Sequence, residues 1–294
     1  MATKRILARL QALLLCLFLT SSHAAEDAFM ATLKAAVPAD TRITFLETDN
    51  ERYPALLQAA ERFEALGGIL LLSDTDSQQQ WLQQTHALRL YLAEQGWLTL
   101  TLPLPLTPQH LNTQATESFA ELQAAHQTQT LSRIQEGLRL LEQQDLERVL
   151  VIAMGRSAEW ASLYLQQNPA EPQIRLILIN PRPAEDTEHA RLLERLTALD
   201  MTVIDLYREP YVTGQRALPD ARMRRNAMRQ AGQTDYHQQR IKDPWSDWNS
   251  DMTWLKRQVR GLIQTHILNP DEQRQQQRIN TPETDQRPPG IRRD

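Results

Sequence analysis

A small-residue turn near the middle of the chain has the composition best suited to catalysis. An apolar run at residues 149–152 is followed by residues 153–157, Ala-Met-Gly-Arg-Ser, and then by a helical pattern. A buried strand, a sharp turn and a helix in this order are typical of a nucleophile elbow, with the motif Gly-x-Ser-x-Gly. There the nucleophile has a positive φ, and small residues two positions before and after it let the helix pack closely on the strand.

Two alignments of this turn with the motif can be drawn. If Ser157 is the nucleophile, Gly155 precedes it correctly, but Glu159 falls where close packing requires a small residue. If Gly155 occupies the nucleophile position, the flanking Ala153 and Ser157 are both small, and the strained conformation falls on a glycine. Packing favours the second alignment, which leaves the turn without a nucleophile.

The catalytic partners of Ser157 would follow it in the chain, first an acid and then a histidine. Asp205, near the end of a predicted strand, is the candidate acid, with Glu209 as a nearby substitute, and His237 is the candidate histidine. A catalytic histidine is expected after the last strand, yet residues 242–248 contain none. A triad of Ser157, Asp205 and His237 therefore remains the alternative hypothesis, and its absence is favoured.

The sequence predicts neither a cofactor nor a metal site. Its nine glycines form no phosphate-binding fingerprint. Asp74 and Asp76, after the apolar run 68–72, would repel a developing oxyanion, and they lack the further acids and the glycine of a calcium loop. A helix-capping role is favoured for this loop. The net charge of −4 argues against a nucleic-acid partner.

The first 24 residues have the pattern of a secretory signal peptide. Three basic residues precede an apolar stretch at residues 10–20, and Ser22 and Ala24 form a small-x-small exit. Removal of residues 1–24 changes the formal charge from −4 to −7 and discards Cys16, the only cysteine, so no inter-subunit disulfide could form. No later apolar run reaches the roughly 20 residues of a membrane span. The mature protein is expected in the periplasm if the source is a Gram-negative bacterium.

Short apolar runs and longer amphipathic stretches alternate between residues 25 and 268, the predicted domain. Continuous apolar strands suit a parallel sheet buried on both faces, so the pattern predicts an α/β three-layer sandwich with N-terminal antiparallel strands. Residues 269–294 are too polar to bury much surface, and we expect a disordered tail there. The predicted strands are residues 42–47, 53–59, 68–73, 97–102, 148–153, 174–180, 202–206 and 235–241, and the predicted helices are 79–95, 119–143, 158–167, 187–199, 217–231 and 250–266.

Four segments resemble DUF3530, a family of uncharacterised exported proteobacterial proteins. They are Gly-Gly-Ile-Leu-Leu-Leu at 67–72, Gln-Gly-Trp-Leu-Thr-Leu at 95–100, the turn region 149–161, and Leu-Ile-Leu-Ile-Asn at 176–180. The resemblance covers residues 43–266 and implies an α/β-hydrolase-like fold and an exported protein, but no established activity. Members have a glycine-rich turn at the elbow, which agrees with Gly155, whereas Ser157 stands where a glycine is usual.

Three functional hypotheses follow. The favoured one is a periplasmic protein of α/β-hydrolase-like fold that lacks a working triad and binds an unknown small molecule or envelope protein. The alternative is a serine esterase using Ser157. A third is an interaction protein whose C-terminal tail recruits a partner.

Overall fold

Eight strands form a single sheet at the centre of the computed structural model, which describes residues 30–75, 81–108, 116–169, 174–185, 188–209, 218–241 and 252–280. The spatial order is β1-β2-β4-β3-β5-β6-β7-β8. β2 is antiparallel to both β1 and β4, and the remaining neighbours are parallel. The strands are β1 Arg42–Thr48, β2 Glu51–Gln58, β3 Gly68–Leu72, β4 Leu98–Leu102, β5 Val149–Met154, β6 Ile174–Ile179, β7 Val203–Tyr207 and β8 Tyr236–Arg240.

Helices connect the parallel strands and lie on both sides of the sheet. A short helical segment at residues 30–36 precedes β1. The later helices are α1 Trp81–Glu94, α2 Thr116–Glu142, α3 Ser157–Gln167, α4 His189–Thr197, α5 Ala221–Gln230, α6 Thr253–Ile263 and α7 Asn269–Asn280, with a π-helical turn, Gln264–Leu268, between α6 and α7. The predicted α/β sandwich with N-terminal antiparallel strands is confirmed.

Alternating residues of each central strand are buried on opposite faces. In β5, Val149, Val151 and Ala153 contribute to a core that includes residues of α2 to α5. Leu150, Ile152 and Met154 contribute to a second core with residues of α1 and α6. Both faces are covered because the strand sequences are continuously apolar, as is typical of parallel sheets. In the described part of the chain, no helix is both long and apolar enough to cross a membrane.

The C-terminal end differs from its expected form. Residues 269–280 form α7, where the sequence predicts a disordered tail. Arg148, directly before β5, lies with its Nε 2.9 Å from Asp271 Oδ2, and this ion pair ties the first turn of α7 to the domain. The composition of residues 269–294 gave no sign of this helix, because the ion pair that holds it joins residues 123 positions apart. The predicted signal peptide, 1–24, and the rest of the predicted tail, 281–294, lie outside the described residues.

Candidate functional site

The turn between β5 and α3 has the backbone conformation of an elbow at Gly155. Its φ is +57°, in the left-handed region that favours glycine. The Gly155 N–H donates to the carbonyl of Ile179 at the end of β6 (2.9 Å), and the Arg182 N–H donates to the Gly155 carbonyl (3.0 Å). The turn is therefore fixed by the segment that follows β6, and Gly155 has the positive φ that the second sequence alignment requires.

The carboxylate of Asp74 occupies the space in front of this turn. A Cβ atom added to Gly155 would lie 2.0 Å from Asp74 Oδ2 and 2.7 Å from Oδ1, far inside van der Waals contact. Asp74 follows β3 and is buried, with its own N–H donating to Oε1 of Gln84 on α1 (2.8 Å). The place where a nucleophile's side chain would begin is thus filled by a side chain from the segment after the neighbouring strand, β3.

Arg156 and Arg182 both donate to the Asp74 carboxylate. The backbone N–H of Arg156 donates to Oδ1 (3.1 Å), and the guanidinium of Arg182 pairs with Oδ2. The N–H after the nucleophile position normally forms part of an oxyanion hole, and it lies at the positive end of α3. Here that N–H, from Arg156, donates to the carboxylate of Asp74. Asp74 thus accepts the N–H of the residue directly before α3, while Asp76 lies outside the described residues.

Ser157 is buried immediately behind the turn. The residue has no exposed surface, and its Oγ accepts the Met154 N–H (2.8 Å). The same Oγ lies within hydrogen-bond distance of the carbonyls of Met154 (2.8 Å) and Leu72 (3.1 Å). These contacts join the ends of β5 and β3 to the first turn of α3, and the partners of the hydroxyl are all backbone groups.

Glu159 is also buried, although it is the residue that conflicts with the first alignment. Its carboxylate accepts the Ala184 N–H and pairs with Arg195 of α4. Burial raises the pKa of Glu159, and the nearby Arg195 opposes that shift. The helix thus accommodates a large acidic residue by pairing it with a cation from α4.

Asp205 lies in the middle of β7 with no exposed surface. Arg224 of α5 donates to it twice, from Nε to Oδ2 (2.7 Å) and from an Nη atom to Oδ1 (3.0 Å). The Gln238 amide (2.9 Å) and the Tyr236 hydroxyl donate to Oδ2 as well. Burial raises the pKa of Tyr236, and Asp205 raises it further. Burial acts to lower the pKa of Arg224, but the contact with Asp205 raises it overall.

His237 lies on the other face of the sheet from Asp205. In the parallel pairing of β7 with β8, Asp205 is opposite Gln238, whereas His237 is opposite Ile204. Consecutive residues of a strand point to opposite faces, so His237 and the Asp205 carboxylate are separated by the sheet. His237 Nε2 lies 3.0 Å from Asp235 Oδ1. The structure does not bring Ser157, Asp205 and His237 together.

Arg182 belongs to the site although no motif in the sequence singles it out. This arginine follows β6 and approaches Asp74 across 108 positions of the chain, so only the tertiary fold brings the two together. The segment Asn-Pro-Arg-Pro at residues 180–183 is a sequence signal for a rigid turn after a strand, and it could have drawn attention to the arginine. Among the described residues, no group of three or more His, Cys, Asp or Glu side chains could hold a metal ion.

The sheet order, the parallel crossovers and the turn after β5 define the α/β-hydrolase fold. Similar solved structures include an esterase domain from Rhodothermus marinus (11% identity, TM-score 0.53, covering 76% of this chain and 97% of that one). A dienelactone hydrolase from Anabaena variabilis is also similar (14%, 0.54, 77% and 97%), as is an esterase from Pyrococcus furiosus (10%, 0.52, 76% and 91%). At these identities the likeness concerns the fold alone.

The family model described as "Protein of unknown function (DUF3530)" matches residues 19–130 and 108–265. The chain belongs to this family, as the motifs suggested. No curated protein matches the sequence.

Proposed function

We propose that this protein is a non-catalytic member of the α/β-hydrolase fold that acts in the cell envelope by binding a ligand or a partner protein. The observation that carries the proposal is the Asp74 carboxylate at the elbow. It fills the space beside Gly155 and takes up the Arg156 N–H. A serine hydrolase needs that space for its nucleophile and that N–H for the oxyanion.

The positions of the three triad candidates support the same proposal. A nucleophilic serine must be exposed and within hydrogen-bond reach of a base, and the base must be oriented by a third group. Ser157 is instead buried among backbone groups, and Asp205 is engaged by Arg224. His237 faces the opposite side of the sheet from Asp205. Each residue has a structural partner that a catalytic role would have to displace.

The envelope location rests on the N-terminal sequence. The basic start, the apolar stretch and the small residues before Ala25 support export followed by cleavage. Expression of the full chain in a Gram-negative host, followed by fractionation and intact-mass measurement, tests this part. We expect a periplasmic protein that begins at Ala25. A cytoplasmic product with the full 33.9 kDa mass would contradict export.

A fluorophosphonate probe tests the absence of catalysis, because it labels activated serines covalently. We expect no labelling of the purified mature protein at concentrations that fully label an active esterase of the same fold. Ser157→Ala is the matched variant, since it removes the one serine at the elbow. Labelling of the wild type that is lost in Ser157→Ala would overturn the proposal and support a serine hydrolase.

A further inference from the structure

Two histidines stack where the last strand meets the C-terminal helices. The imidazole rings of His237 on β8 and His266 in the π-helical turn have centroids 3.8 Å apart and planes inclined by 20°. Both residues are partly buried, and His237 also contacts the Asp235 carboxylate (3.0 Å). The pair is separate from the elbow, and the proposed function does not use it.

The π turn sets the position of His266. Within Gln264–Leu268 the helix is wider than an α-helix, and the Asn269 N–H donates to the carbonyl of Gln264, five residues earlier. Pro270, the next residue, has no N–H to donate to the carbonyl of residue 266. Ile267 and Leu268 of the same turn are buried in the core beside α6. α7 continues directly from this turn, so a shift of His266 away from β8 would also move the start of α7.

The charges around His266 make the contact dependent on protonation. Within the described residues, the titratable groups that act on His266 are His237 and Asp235, both contributed by the β8 side. Burial lowers the pKa of His266, the neighbouring His237 lowers it further, and Asp235 acts in the opposite direction. One neutral ring can stack on the other, whereas two protonated rings at 3.8 Å repel each other.

We propose that the His237–His266 stack is an acid-sensitive latch, which holds the π turn and the start of α7 against β8 and releases them when both rings are protonated. The folded state lowers the pKa of His266 relative to its value in a released segment, about 6.5. The released state therefore binds protons more readily. The latch is fully closed above pH 6.5 and weakens as the pH falls through the lowered pKa of His266.

Hydrogen exchange of the α7 amides tests the latch. We expect the opening of α7 in the wild type to increase as the pH falls from 7.5 to 5, by up to roughly tenfold for each unit by which the pKa of His266 is lowered. In His266→Gln the opening should not change with pH. Comparison of the two proteins at the same pH cancels the intrinsic exchange rates, and the amides of α3, a helix without histidine, serve as the internal reference.

A titration of His266 by NMR provides a second test. In His237→Gln the pKa of His266 should move up towards 6.5, whereas in Asp235→Asn it should fall further, because the carboxylate that favours the proton is removed. These opposite directions separate the latch from a general loss of stability. Equal His266 titrations in all three proteins, or α7 protection in the wild type that does not depend on pH, would overturn the proposal.

Discussion

Two regions differ in what they share with a hydrolase site. They are the turn after β5 and the β7 cluster, which consists of Asp205 and the side chains that donate to it, Arg224, Tyr236 and Gln238. At the turn, Gly155 has the elbow conformation, but the side-chain position in front of it is filled by the Asp74 carboxylate. On β7, an acid is present at Asp205, but the side chain is fully buried and paired with Arg224. One region has the backbone shape of an elbow with a glycine at its centre, and the other has a buried acid on the opposite face of the sheet from His237.

The two carboxylates also differ in their surroundings. Asp74 pairs with Arg182, whose side chain is 33% exposed, so solvent screens part of that interaction. Asp205 and Arg224 have side chains only 0% and 4% exposed, and here the loss of one partner leaves an uncompensated buried charge. We therefore expect substitutions in the β7 cluster to lower the free energy of unfolding most. At the turn, we expect the main effect to be a steric clash between a new side chain at residue 155 and Asp74.

The largest effect is expected for Arg224→Leu. This change leaves the Asp205 carboxylate buried without its cation, and we expect the free energy of unfolding to fall by about 3–5 kcal/mol. Arg222→Leu is the matched control, since Arg222 is an exposed arginine on the same helix, α5; its loss should stay within about 0.5 kcal/mol. Urea denaturation of both variants measures the difference. Similar losses in the two variants would contradict a special contribution of the buried pair of Arg224 and Asp205 to stability.

A smaller effect is expected for Gly155→Ala. The new Cβ enters the space of Asp74, and the left-handed conformation disfavours any side chain, so we expect a loss of about 2–4 kcal/mol. Gly232→Ala is the matched control, because Gly232 also has a positive φ (75°) but no atom within 4 Å of an added Cβ. Its loss should be about 1 kcal/mol.

A double-mutant cycle isolates the clash at the turn. If Asp74 causes the excess loss in Gly155→Ala, adding Asp74→Gly should recover about 1–3 kcal/mol of it relative to the sum of the two single changes. Additive losses would show that the space beside Gly155 is not limited by Asp74. The cycle thereby tests the observation on which the proposed function depends.

The smallest effect is expected for Ser157→Ala. The Ser157 hydroxyl accepts the Met154 N–H, and its loss leaves that buried donor unsatisfied, which costs about 1–2 kcal/mol. Ser162→Ala is the matched control: Ser162 is equally buried on α3, but its Oγ only donates to the Ala158 carbonyl (2.7 Å). We expect a loss below about 1 kcal/mol there. Thermal unfolding of both variants checks this order, and a larger loss for Ser162→Ala would contradict it.

The sequence predicted the fold well because the strands have a strong local signal. The apolar run of β5 and the alternation of strands and helices from residue 68 onward require burial on both faces of a sheet. The turn at Gly155 was also predicted, since small residues follow a buried strand directly. The start of α7 was missed, because the ion pair between Arg148 and Asp271 joins residues 123 positions apart.

The sequence by itself determined the strands and helices, the elbow turn and the presence of a glycine at its strained position, because each depends on residues close together in the chain. Only the tertiary structure placed Asp74 and Arg182 in front of Gly155 and turned His237 away from Asp205. These placements depend on how strands β3, β6, β7 and β8 align in the sheet. Which side chains come into contact at this site is decided by residues far apart in the chain, so no local sequence pattern predicts it.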